Sequence, residues 1–177
     1  MDLTKLGEIK VCKNFFDRQD YQTVLDKVAD FKWQFGHTSY PQEHPRNKYC
    51  HSFWKKELHD DKFFSDHLLN IIQEKTNQSY ICEHVYANGQ TYGLDGTLHQ
   101  DCYDDGKTFL LYANAVWSAD WGGSTQFYLD EGESYNIFPE PNKAVIFPGV
   151  IYHSSTPTSR LFNGLRVTIA WKLKKND

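Results

Sequence analysis

Cysteine is scarce and scattered in this chain of 177 residues. Cys12, Cys50, Cys82 and Cys102 stand far apart, with no CxxC knuckle of the kind a zinc site uses. Free thiols in a reducing compartment are therefore expected, and no disulfide framework. Positive charge is not in excess either. Nineteen basic against 23 acidic residues give a formal net charge of -4, which offers no footprint for phosphates and disfavours nucleic acid as a partner. Long apolar runs are absent too: the opening MDLTKLGEIKVCKNFFD has no signal-peptide core, and no later run approaches a membrane span. A cytoplasmic location without membrane contact is the expectation. Asn77-Gln78-Ser79 then reads as a chance match to a glycosylation acceptor. No repeat, low-complexity tract or Gly/Ser linker divides the chain, so residues 1–177 read as one domain with a single core.

What is present falls into a helical first part, residues 1–78, and a strand-rich core at about 79–174. Tyr21, Val24, Leu25, Val28, Phe31 and Trp33 recur mostly at spacings of three and four, which predicts an amphipathic helix over residues 20–33. A second is predicted over residues 61–76, with Phe63, Phe64, Leu68, Ile71 and Ile72 on one side and Asp60 or Asp61 as N-cap. From Tyr80 the period becomes two, in YICEHVYA, TFLLYANAVW, STQFYL, KAVIFPGVIYH and LRVTIAWKL. Turn signals separate these segments at Asn88-Gly89, Asp105-Gly106, Gly122-Gly123 and Asn163-Gly164. Short strands with tight turns predict a sandwich or closed barrel.

The stretch LHQDCYDDGKTF concentrates chemistry. Eight histidines and fifteen aspartates would give roughly 0.7 His-x-Asp matches by chance, so the pattern alone carries little. The second match, His59-Asp60-Asp61, opens a helical stretch, where residues two apart diverge. His99 and Asp101 lie between YGLDG and a strand, and in an extended chain positions i and i+2 face one side. An oxygen-activating iron site needs two neutral imidazoles and one carboxylate on one face of an octahedron, with three positions open. His153, at the end of KAVIFPGVIYH, is the best third ligand.

Read in order, VYANGQTYG, LHQDC, TFLLYAN, WGGSTQFY, AVIFPGVIYHSS and GLRVTIAWK resemble the core of the iron(II)/2-oxoglutarate-dependent oxygenases, especially the prolyl-hydroxylase-like branch, over residues 80–172. The resemblance implies a mainly β protein, a double-stranded β-helix (jelly roll) with flanking N-terminal helices on the larger sheet. It implies that His99, Asp101 and His153 are the iron(II) ligands and that 2-oxoglutarate is the cosubstrate, with ascorbate as a candidate accessory reductant. Arg166 matches the basic position that anchors the distal carboxylate, although it follows His153 by thirteen residues where the family interval is about ten. Arg160 intervenes at plus seven, in a turn-prone stretch that reads as a solvated loop. Tyr86 matches a tyrosine that helps hold the cosubstrate, and His84, on the same strand face, is a further pocket candidate. The implied reaction decarboxylates 2-oxoglutarate to succinate and CO2 and hydroxylates a substrate C-H, with a peptidyl or amino-acid substrate, above all proline, as the leading case. Tyr92, Tyr103, Trp117, Trp121 and Tyr152 are aromatic candidates for the barrel mouth, WQFGHTSYPQEHPRNKYCHSFW could cover it, and Asp104 and Asp105 read as a solvated turn. A small-molecule hydroxylase, a nucleic-acid dealkylase and a non-catalytic metal-binding jelly roll are the alternatives.

Overall fold

Asp17 starts the first helix by accepting the Asp20 amide on its carboxylate, so helix α1 spans Arg18–Val28 and ends at Ala29. This is earlier at both ends than the predicted 20–33, and Phe31 lies beyond the helix, fully exposed, instead of on its buried stripe. The computed structural model describes residues 7–129 and 132–176. The second predicted helix begins as a π-helical turn, Phe63–Leu68, and continues as α2, Leu69–Thr76. Asp61 caps it: its carboxylate accepts the Phe63 amide, and its carbonyl accepts those of Phe64 and Ser65. Asn77 stops it in the left-handed conformation.

Among the described residues ten strands run in chain order: β1 (Lys10–Cys12), β2 (Gln34–His37), β3 (Phe53–Glu57), β4 (Tyr80–Gln90), β5 (Lys107–Tyr112), β6 (Thr125–Tyr128), β7 (Ser134–Ile137), β8 (Ala144–Pro148), β9 (His153–Ser155) and β10 (Arg166–Lys175). They form a seven-stranded sheet in the order β1-β8-β5-β10-β4-β3-β2 and a three-stranded sheet β7-β6-β9. All pairings are antiparallel. The fold is thus mainly β, with the two sheets of a double-stranded β-helix. The first 78 residues are not purely helical, because β1, β2 and β3 extend the large sheet at both edges. These strands are only three to five residues long, β1 and β2 are almost wholly exposed and β3 buries Phe53 and Lys56, so no alternation betrays them.

Two further expectations are corrected. KAVIFPGVIYH is not one strand: the chain turns at Gly149 and passes from β8 in the large sheet to β9 in the small one. Asn88-Gly89 is no turn either, since both lie inside β4, paired with Thr168 and Val167 of β10. A Cβ at Gly89 would stand 2.9 Å from atoms of Leu165 and Trp33, so close packing, not a hairpin, requires glycine there.

The period of two divides β10 between two tasks. Val167, Ile169, Trp171 and Leu173 face outward, onto a core formed with Val24, Val28, Phe64, Leu68 and Ile72 of the helices. Trp171 is wholly buried and donates its indole N-H to the Phe64 carbonyl at 3.0 Å. The helices therefore brace the outside of the large sheet. Arg166, Thr168, Ala170 and Lys172 face inward, toward a cavity between the sheets. The inner core there packs Leu110, Tyr112, Val145 and Phe147 of the large sheet against Phe127 and Ile137 of the small one. No helix among the described residues is long and apolar enough to cross a membrane, and all four cysteines are free thiols.

Candidate active site

His99 and His153 are brought together by the backbone. Each donates its amide to the other's carbonyl, at 3.0 and 2.9 Å, and the rings lie 4.4 Å apart. The Asp101 amide donates to the Gly149 carbonyl at 2.8 Å. That approach needs glycine, since a Cβ at 149 would lie 2.4 Å from Cys102 Sγ. One ligand atom from each of His99, Asp101 and His153 then lies within 4.8 Å of the others. Asp101 Oδ1 is 3.3 Å from His99 Nε2, and Oδ2 is 3.5 Å from His153 Nε2.

Both imidazoles turn the same nitrogen toward Asp101. His99 Nδ1 donates to the Thr97 carbonyl at 2.8 Å and His153 Nδ1 to the Ile151 carbonyl at 2.9 Å, so each Nε2 carries its lone pair toward Asp101. Burial lowers the His153 pKa to about 4 against the pull of Asp101, which keeps the ring neutral at physiological pH. Burial also pushes Asp101 up, but the neighbouring Lys172, His153 and His99 outweigh it and hold the carboxyl well below its usual range. Two imidazoles and one ionised carboxylate at this spacing fit a divalent iron.

The cavity beside them has a volume of about 590 Å³. Arg166, only 2 % exposed, forms part of its wall. The guanidinium donates to the Gly123 carbonyl at 2.6 Å, Gln90 Oε1 at 2.8 Å and Thr125 Oγ1 at 3.3 Å, with the Tyr112 ring 5.7 Å away. All of these partners are neutral. A buried cation without a carboxylate is costly, and a cavity that admits one supplies the missing charge. Arg160, by contrast, is exposed and outside the cavity wall. Tyr86 lines the cavity between the ammonium groups of Lys55 and Lys172, 4.8 and 5.7 Å from its ring.

The family model described as the 2OG-Fe(II) oxygenase superfamily matches residues 83–171, half of the chain. The chain is a 2-oxoglutarate- and iron(II)-dependent dioxygenase. No curated protein matches it. Solved structures share its fold at low identity. One is a prolyl hydroxylase from Trichoplax adhaerens in complex with a hypoxia inducible factor oxygen degradation domain peptide fragment, with TM-score 0.70 and 18 % identity over 99 % of this chain and 88 % of that one. A Pseudomonas putida prolyl-4-hydroxylase gives 0.57 and 14 % over 96 % and 94 %. A viral collagen prolyl hydroxylase from Paramecium Bursaria Chlorella virus-1, solved with 2OG, gives 0.58 and 13 % over 96 % and 97 %.

Other sequence candidates of the dioxygenase are dispersed. His84 is not in the cavity wall: it is tied to Glu57 Oε1 at 2.6 Å. His59 lies beside His84, ring centroids 5.5 Å apart, and takes no part in the metal cluster. Of the mouth aromatics only Tyr103 lines the cavity. Trp117 and Trp121 instead pack on Phe162, at 4.7 and 5.0 Å between ring centroids, and Tyr92 and Tyr152 lie on the surface. Asp104 stays in the turn, accepting the Gly106 amide. The segment preceding β3 does reach the cavity, through residues 36–42 and His44. Lys172 escaped the sequence reading, although its even spacing from Arg166 in RVTIAWK puts it on the same strand face.

Two imidazoles kept neutral, the buried His153 and the half-buried His37, make the metal-free dioxygenase sensitive to acid. Burial lowers His37, in the same cavity wall, to about 4, as it does His153. An unfolded chain would protonate both near 6.5, so it takes up protons first as pH falls and gains relative to the folded state. The thermal midpoint should hold above pH 7 and fall between about pH 6.5 and 4, and His37→Phe should shrink that fall. Calorimetry giving a level midpoint across this interval would contradict the burial of neutral rings.

Proposed function

We propose that this dioxygenase hydroxylates a C-H bond of a peptidyl or amino-acid side chain, prolyl foremost, releasing succinate and CO2, with His99, Asp101 and His153 holding iron and Arg166 and Tyr86 holding 2-oxoglutarate. The observation that carries the reading is the make-up of the cavity. Its buried wall has the three ligand atoms and the guanidinium without an anion, and its lining also includes the exposed Pro41 and Tyr103, the half-buried His44 and the buried Tyr40. Tyr40 is fixed by donating to the Leu98 carbonyl at 2.9 Å and by stacking on His44 at 4.3 Å between centroids. Flat apolar faces suit a pyrrolidine ring or a peptide strand. The net charge of -4 gives a phosphate backbone little to bind. The three solved relatives named above are prolyl hydroxylases.

Iron(II), when bound, supplies the oxygen activation that couples cosubstrate decarboxylation to hydroxylation. The protein's share is orientation and charge. Asp101 enters ionised, His99 and His153 present Nε2, and Arg166 neutralises the distal carboxylate where water is excluded. Tyr86, in the same cavity wall, would contact the bound cosubstrate.

Incubating the iron-loaded protein with 2-oxoglutarate and proline-rich peptides, free proline, other small molecules or alkylated oligonucleotides tests the reading. Succinate coupled to a gain of about 16 daltons, one oxygen atom, on a peptide or amino acid is expected. Turnover coupled only to the oligonucleotide, with release of an aldehyde, would replace the hydroxylase reading by a dealkylase.

A further inference from the structure

Asp101 is unsymmetrical. Its Oδ2 accepts Lys172 Nζ at 2.5 Å and Thr108 Oγ1 at 2.5 Å, and those two donors lie 3.5 Å from each other. Its Oδ1 has no such donor and faces His99 Nε2 at 3.3 Å, while Oδ2, with both donors on it, is 3.5 Å from His153 Nε2. Two donors fill the two lone pairs of Oδ2, so the lone pairs left free for a metal are those of Oδ1. The arrangement is built into the sheet. Lys172 of β10 is directly opposite Thr108 of β5, with Leu173 opposite Lys107 in the same register. The Lys172 ammonium also lies against the ring of Tyr86. Lys172, Thr108 and Asp101 all belong to the cavity wall.

We propose that Lys172 is a positioning residue that, together with Thr108, occupies Asp101 Oδ2 and so limits Asp101 to one-oxygen ligation. The inference rests on the metal-site reading above. In an octahedron, three protein ligands leave three positions, of which a chelating cosubstrate takes two. A carboxylate free to swing would bring in both oxygens and take one of the three, at the expense of the cosubstrate. Lys172 prevents this by geometry. Its charge also opposes that of the metal, so it improves the open positions at some cost in metal affinity.

Anaerobic cobalt(II) loading of the wild type, Lys172→Met, Lys172→Arg and Thr108→Val tests this, read by the visible spectrum of cobalt and by calorimetric binding of 2-oxoglutarate. Lys172→Met should bind cobalt as tightly as wild type or more tightly, show an altered cobalt spectrum, and bind 2-oxoglutarate at least about 10-fold more weakly, the scale of losing an outer-shell partner. Lys172→Arg should restore the spectrum and the affinity. Thr108→Val should move both in the same direction by less, and it carries the comparison if Lys172→Met does not fold. An unchanged spectrum with unchanged 2-oxoglutarate affinity would overturn the proposal, as would loss of cobalt as complete as in Asp101→Ala. Failure of the wild type to bind cobalt would instead defeat the metal-site reading.

Discussion

Asp101→Ala should reduce iron affinity by more than about 100-fold, beyond the upper end of what losing an outer-shell partner costs, and abolish succinate formation. The carboxylate would be the one anionic ligand of the three, it is almost fully buried, and it is held ionised by its neighbours. Removing it leaves Lys172 facing two imidazoles and the incoming metal, so repulsion adds to the lost bond. His99→Ala and His153→Ala should also lose most metal binding, because each takes away one of three converging atoms. His59→Ala should not, since His59 lies beside His84, outside that cluster. Equilibrium dialysis under anaerobic conditions measures all four. Full iron affinity in His99→Ala combined with loss in His59→Ala would move the metal to the other His-x-Asp pair.

Arg166→Ala should raise the 2-oxoglutarate concentration needed for half-saturation by roughly 30-fold to several thousand-fold. That range corresponds to the roughly 2 to 5 kcal/mol lost when one partner of a buried, hydrogen-bonded charge pair is truncated. The guanidinium is aimed by Gly123, Gln90 and Thr125, none of which brings a charge, so a distal carboxylate would be its sole anionic partner there. Metal affinity should stay near wild type, since Arg166 touches none of the three ligands. Arg160→Ala, on the exposed loop, should change the requirement by no more than a few-fold. Titration of the metal-loaded variants separates the two, and the reverse ranking would place the anchor in the loop.

Much of this site was legible because strands between two packed surfaces write their geometry into the chain. Alternation in LRVTIAWKL separates Arg166 from the outward Val167, Ile169 and Trp171, and the structure keeps that separation. His99-x-Asp101 reads as one face for the same reason. Legibility ended where tertiary contacts overrode local signals. Asn88-Gly89 has the composition of a hairpin, yet Leu165 and Trp33 demand a residue without Cβ inside a strand. KAVIFPGVIYH reads on across a turn, because β8 is buried along its length and Ile151 in the turn is buried again before β9 begins at His153. Aromatic composition marks burial but not direction, which is how Trp117 and Trp121, packed on Phe162, passed for the cavity mouth. A lysine near a strand end reads as solvated, and only the fold sets Lys172 against Asp101.

The central claim is that one cavity holds iron at His99, Asp101 and His153 and the cosubstrate on Arg166. A crystal structure of the protein grown anaerobically with manganese(II) and 2-oxoglutarate tests it most directly. It should show an anomalous peak bonded to His99 Nε2, Asp101 Oδ1 and His153 Nε2, with the distal carboxylate of 2-oxoglutarate on the Arg166 guanidinium. A metal bound elsewhere, or a cosubstrate carboxylate that leaves Arg166 without an anion, would contradict the account.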